Sequence, residues 1–132
     1  MTAKKRNTKR PTSKATNAYD LLTDIGKIAI ADPRRMRMKV WSLAGDHELL
    51  RWGIPPTEHP ACGTVGCIGG WANILRPHST LGLTARMRME LFFNDTLCRA
   101  ADQGTLAHAK RVVAHIRKFQ RKYAKRLKAE AM

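Results

Sequence analysis

The chain predicts an all-α fold: a small single domain of five or six helices, with a long basic C-terminal helix and a disordered basic N-terminal arm. Three observations carry this expectation. Apolar residues recur at three- and four-residue steps in several separate stretches, the mark of amphipathic helices. The one alternating stretch, Met36, Met38 and Val40, reads as a strand, yet no partner strand is evident. A length of 132 residues suits one compact domain and hardly two, and 43% hydrophobic residues supply a small core.

Residues 1–17, MTAKKRNTKRPTSKATN, hold no large apolar side chain after Met1. Such a segment buries too little surface to offset its ordering entropy, so a disordered arm is expected. Residues 18–128 then form the single helical domain. Asn17 is placed to cap a helix that ends before Asp32-Pro33, with Leu21, Leu22, Ile25, Ile28 and Ala29 on its buried face. Asp46 caps a short helix carrying Leu49, Leu50 and Trp52, and Gly53, Pro55, Pro56 and Pro60 then enforce a loop.

Thr64 is the expected cap of the next helix, whose apolar positions are Val65, Ile68, Trp71, Ala72 and Leu75, and Pro77 stops it. Gly63, Gly66, Gly69 and Gly70 cost a helix interior ~1 kcal/mol each relative to alanine. The expected compensation is close approach by a neighbouring helix or loop. Thr84 caps a helix over 85–93, and a short one follows from Thr96 to Ala101. The last helix, 105–128, aligns Leu106, Ala109, Val113, Ile116, Phe119, Tyr123 and Leu127 in one stripe. Trp41, Trp52 and Trp71 read as core rather than as a base-stacking platform.

Charge points to a class of partner. Lysine and arginine number 25 against 10 acids, a net charge of +15, and nearly all the excess sits at the two ends. The arm carries Lys4, Lys5, Arg6, Lys9, Arg10 and Lys14 with no acid. Residues 110–128 carry Lys110, Arg111, Arg117, Lys118, Arg121, Lys122, Lys125, Arg126 and Lys128, again with no acid. On a continuous helix Lys110, Arg117, Arg121, Lys125 and Lys128 share one face. Like charges at that spacing repel by a few tenths of a kcal/mol per pair. A polyanion relieves the repulsion, and released counterions favour its binding. A merely solvated face would usually mix signs.

The expected site is therefore Lys4, Lys5, Arg6, Lys9 and Arg10 with Lys110, Arg117, Lys118, Arg121, Lys122, Lys125, Arg126 and Lys128. The expected function is that of a nucleic-acid-binding accessory or regulatory protein, gripping DNA or RNA by its phosphates without sequence preference. The alternative is a protein–protein module, an inhibitor or host-takeover factor, that presents its basic face to an acidic partner. Sequence-specific readout is not expected. The eight residues from Arg76 to Leu83 exceed a helix–turn–helix turn, although Arg86 and Arg88 follow on the next helix. Membrane binding through Phe119 and Tyr123 is disfavoured because the core claims that stripe.

The cysteines invite two sharper chemistries. His59, Cys62, Cys67 and His78 form H-x2-C-x4-C-x10-H, with donors of a softness that suits zinc. The last interval fits no zinc module and a second close pair is missing, so neither metal nor cofactor is expected. Cys62, just before the expected helix start, is where a thiol becomes acidic, with His47, His59 and His78 as possible bases. The run C-G-T-V-G-C-I-G-G-W stretches both intervals of a papain-like signature, and the balance leans away from an enzyme. Cys67 reads as a small buried hydrophobe, whose replacement by serine would bury a lone hydroxyl. Three cysteines make no disulfide scaffold. No apolar run approaches the ~18 residues of a membrane span, and no secretory leader is evident, so a cytoplasmic protein is expected.

Residues 62–75, CGTVGCIGGWANIL, resemble the C-G-T-x-x-C-I-A-G-W-A segment of small uncharacterised proteins encoded by bacteriophages and by actinobacterial or proteobacterial genomes. Pro33, Met36 or Met38, and Trp41 upstream, with Leu81-Gly82-Leu83 and Leu91-Phe92 downstream, extend the likeness over about 18–117. Gly69 stands where that motif usually has alanine, and the basic ends lie outside it. The resemblance implies a phage or mobile-element origin and action in a bacterial host cell. It implies no activity.

Overall fold

The computed structural model describes residues 9–77, 79 and 81–129. The fold is mostly helical, as expected, and its spine is the packing of α1 (Ala18–Ala31) along α6 (Leu106–Lys122). α1 begins at Asn17, whose Oδ1 accepts the Asp20 amide at 2.8 Å, and it closes at Asp32 before Pro33. Leu21, Leu22, Ile25 and Ala29 are fully buried against Ala109, Val112, Ile116 and Phe119 and the rest of the main core. Thr105 caps α6 through the His108 amide, and Thr84 caps α4 (Ala85–Phe92) through the Met87 amide. α5 is Asp95–Arg99, begun by Asn94 rather than at Thr96.

Residues 64–66 depart from expectation. Thr64 caps no helix: Thr64–Gly66 is a strand, β2, paired antiparallel with β1 (Ser42–Ala44), Leu43 opposite Val65. The pair is stabilised by an apolar floor of its own. Leu43 and Val65 pack with Ile54 and with Leu49 of α2 (Asp46–Arg51), apart from the main core. The alternation at 36–40 is real burial, since Met36 and Met38 are both inside, but Met36 contributes a single bridge to Gly66. The paired strand starts further on.

α3 (Ile68–Leu75) therefore begins four residues later than Thr64, and its N-cap is Cys67. The sulfur accepts the Gly70 amide at 3.3 Å and lies 3.8 Å from the Trp41 carbonyl oxygen. This changes the expectation for Cys67→Ser. A serine hydroxyl there accepts from Gly70 and donates to Trp41, so it is not left without partners. Serine is also among the best capping residues. Cys67→Ser should be nearly neutral, whereas Cys67→Ala should cost about 1 kcal/mol. Thermal melts of the two variants check this, and equal losses would remove the capping role.

The glycines do permit close approach, but by extended chain rather than by a helix. A Cβ on Gly70 would stand 1.4 Å from the Trp41 carbonyl oxygen. Trp41 is held there because its carbonyl also accepts the Cys67 amide. Its ring projects over Gly69 and meets Phe92 edge-on, with centroids 6.2 Å apart. The tryptophans consequently divide. Trp71 is fully buried and donates its indole N–H to the Arg35 carbonyl at 2.8 Å, while Trp41 and Trp52 are 50% and 64% exposed.

The last helix is not one rod. α6 ends at Lys122, and after Tyr123 the chain resumes as α7 (Ala124–Ala129). Tyr123 packs on Phe119 and donates its hydroxyl to Glu90 Oε2 at 2.6 Å. The break turns α7 back along α1, which buries Leu127 completely. At the other end of the expected stripe, Leu106 is 46% exposed.

Candidate nucleic-acid interface

The face of α6 opposite the core carries Lys110, Arg117, Lys118 and Arg121, all exposed, and Lys125 continues the charge onto α7. None of the five has a carboxylate within ion-pair distance among the described residues. α6 is a rigid platform for them, because Ala109, Val112, Ile116 and Phe119 fix its other face in the core.

The remaining predicted cations of this region have structural partners. Lys122 donates to Glu90 Oε1 at 2.7 Å, and Arg126 donates to the Gly82 carbonyl at 3.1 Å. The Lys128 ammonium lies 4.6 Å from the centre of the Tyr19 ring. These three side chains clamp the α6–α7 junction to α4, to the 81–84 turn and to α1. Arg111, basic but outside the predicted set, is paired with Asp102.

Glu90 is the hub of that clamp. The hydrogen bond from Lys122, and next the one from Tyr123, hold its carboxyl below the usual carboxylate range. A depressed carboxylate stabilises the fold above its unfolded pKa, and the contribution is lost as pH falls through the folded value. Glu90 is partly exposed, so Glu90→Gln should lower stability at neutral pH by less than about 1 kcal/mol. The difference from wild type should close in the acid part of the carboxylate range. Melting curves taken across pH would show it, and a constant gap would mean that the charge is irrelevant.

The arm is anchored elsewhere on the fold, to Arg76 and Asp24. Lys9 and Arg10 are exposed, whereas Lys4, Lys5 and Arg6 lie outside the described residues. The base of the arm is tied down: Arg76 donates to the Ser13 and Ala15 carbonyls at 3.0 and 2.7 Å, and Ser13 donates to Asp24 at 2.6 Å. It therefore meets α1 at Asp24.

Lys27 was not anticipated. It joins Arg117 and Arg121 in lining an open groove of about 610 Å³ between α1 and α6. The signal was the polar series Tyr19, Thr23, Lys27 at four-residue steps, on the side of α1 away from its apolar stripe.

Several residues of the other candidate chemistries are engaged within the fold. His59 commits both ring nitrogens, to the Ile54 carbonyl at 2.8 Å and to Asp46 at 3.2 Å. His78 lies outside the described residues. The thiol at the helix start is Cys67 rather than Cys62, and burial pushes it up, away from thiolate character. Arg88 reaches back to the Leu83 carbonyl, and residues 76–84 separate α3 from α4. No helix among the described residues is long and apolar enough to cross a membrane.

No protein-family model, curated protein or solved structure matches this chain.

Proposed function

We propose that this is a nucleic-acid-binding accessory or regulatory protein that grips DNA or RNA through phosphates, with little base discrimination. The observation that supports it is the set Lys110, Arg117, Lys118, Arg121 and Lys125, exposed on a rigid support with no carboxylate within ion-pair distance among the described residues. Such a face keeps its charge available, and a polyanion gains the entropy of the counterions it displaces. Lys9 and Arg10 add phosphate contacts from the arm, with Lys4, Lys5 and Arg6 beyond them. In this reading the protein is phage or mobile-element encoded and acts in the cytoplasm of a bacterial host. The likeness of residues 62–75 to the phage and bacterial motif supports that origin.

Titrating duplex DNA, single-stranded DNA and RNA by anisotropy, between about 50 and 200 mM salt, tests the reading. On the duplex, log K should fall linearly with log salt, by about 0.9 for each phosphate neutralised. Failure to bind any of the three polyanions at low salt would refute it.

A further inference from the structure

The groove between α1 and α6 asks for more than phosphate. Its lining runs along α1 from Tyr19 to Ala31, about three helical turns and roughly 18 Å at 1.5 Å per residue. The floor is apolar: half-buried Val113 lies over the buried Leu22, Gly26 and Ile116, and Ile30 and Ala31 are exposed on the same side. Gln120, the amide in the lining, spends its NH2 on the Tyr19 carbonyl and the Thr23 hydroxyl, both at 2.8 Å. That polar group is already satisfied within the fold.

Gly26 sets the depth. A Cβ there would meet Val113 at 3.5 Å, an ordinary contact, so α6 does not demand a glycine. Glycine inside a helix is unfavourable. Its lack of a side chain leaves the space beside Val113 to the groove.

The rim is cationic. Lys27 on one wall faces Arg117 and Arg121 on the other, and no carboxylate is among the lining residues. Of the acids on α1, Asp24 is engaged by Ser13, and Asp20 lies outside the lining.

We infer that this groove docks an acidic amphipathic helix of a partner protein. Apolar residues at i, i+3, i+4 and i+7 seat on the floor between the two helices, and glutamates or aspartates beside them meet Lys27, Arg117 and Arg121. The length matches about three turns, and the rim complements the charge. This surface goes beyond the phosphate-binding face, which needs no apolar floor. It also overlaps that face at Arg117 and Arg121, so the acidic helix and nucleic acid compete for the protein.

The test uses a dye-labelled synthetic peptide of roughly 14 residues, leucines at those spacings and glutamates elsewhere, against a scrambled isomer of equal composition. The amphipathic peptide should bind the full-length protein at least about tenfold more tightly than the isomer. Gly26→Leu fills the floor without altering charge, and should weaken the peptide by about tenfold while leaving duplex DNA binding unchanged. Lys27→Glu, at an exposed site that leaves the fold intact, should also weaken the peptide by about tenfold. Equal affinity for the two isomers, or peptide binding indifferent to both substitutions, would overturn the inference. So would saturation of the groove by laurate, a small amphiphilic carboxylate, without binding of the peptide. Loss of duplex binding alone, with the peptide still bound, would count against the nucleic-acid reading and leave this one standing.

Discussion

Gly70→Ala should destabilise the protein by at least about 3 kcal/mol, more than an ordinary overpacking substitution. The added methyl would coincide with the Trp41 carbonyl, 1.4 Å from its oxygen and 2.5 Å from its carbon. Neither atom can swing aside. Both are main chain, and the same oxygen accepts the Cys67 amide next to the β1–β2 pair. Relief requires β1 to part from α3, which opens the main core at Trp71. The neighbouring glycines provide a scale. A Cβ at Gly66 meets the same oxygen at 2.9 Å, so Gly66→Ala should be costly but less so. A Cβ at Gly69 meets side chains rather than main chain, the Trp41 ring at 2.5 Å and Phe92 Cγ at 3.2 Å, and the half-exposed Trp41 ring can rotate. Gly69→Ala should therefore be the mildest of the three. Chemical denaturation of the three variants gives the order, and a Gly70→Ala protein as stable as wild type would mean that Trp41 does not lie against α3.

Replacing Arg117, Arg121 and Lys125 together by glutamine should weaken duplex DNA by about a hundredfold and flatten the salt slope by about 2.7, if each cation neutralises one phosphate. The fold should be unaffected, because all three side chains are exposed and their removal relieves like-charge repulsion. Lys122→Gln with Arg126→Gln forms the comparison. Those cations are engaged by Glu90 and the Gly82 carbonyl, so their loss should change the slope less and the melting temperature more. Salt-dependent titrations of both variants separate the two groups. Equal slope changes would show that the engaged cations also reach phosphate.

The helices were legible where their signals are local. Asn17, Thr84 and Thr105 each cap the helix that follows through an amide three residues on, a pattern contained within one turn. The β pair was not legible, because its strands are three residues each and lie far apart in sequence. Thr64 looked like a cap because a threonine before an apolar run usually is one. The break at Tyr123 has neither glycine nor proline to announce it. Glu90, which accepts the Tyr123 hydroxyl at the break, is 33 residues away, and no window along the sequence reaches it. The same limit applies to the site. That the C-terminal region is basic follows from counting, but which cations are already engaged depends on Glu90, Gly82 and Tyr19, all remote in sequence. Lys27 was missed because a single lysine on α1 gains meaning only when α6 brings two arginines beside it.

The Arg76 clamp also decides how the two charged ends act together. Arg10 is only three residues from Ser13, so at no more than ~3.6 Å per residue it stays within roughly 11 Å of its anchor. That anchor lies beside α1, where Ser13 meets Asp24, and Lys128 of α7 rests on Tyr19 in the first turn of the same helix. The arm and the C-terminal segment are thus both held against α1. On the nucleic-acid reading, once either has engaged a strand the other meets it as an intramolecular ligand, at an effective concentration of the order of millimolar. Two weak grips tethered in this way hold as one bivalent grip, and their joint strength depends on Arg76, a residue that itself need touch no phosphate.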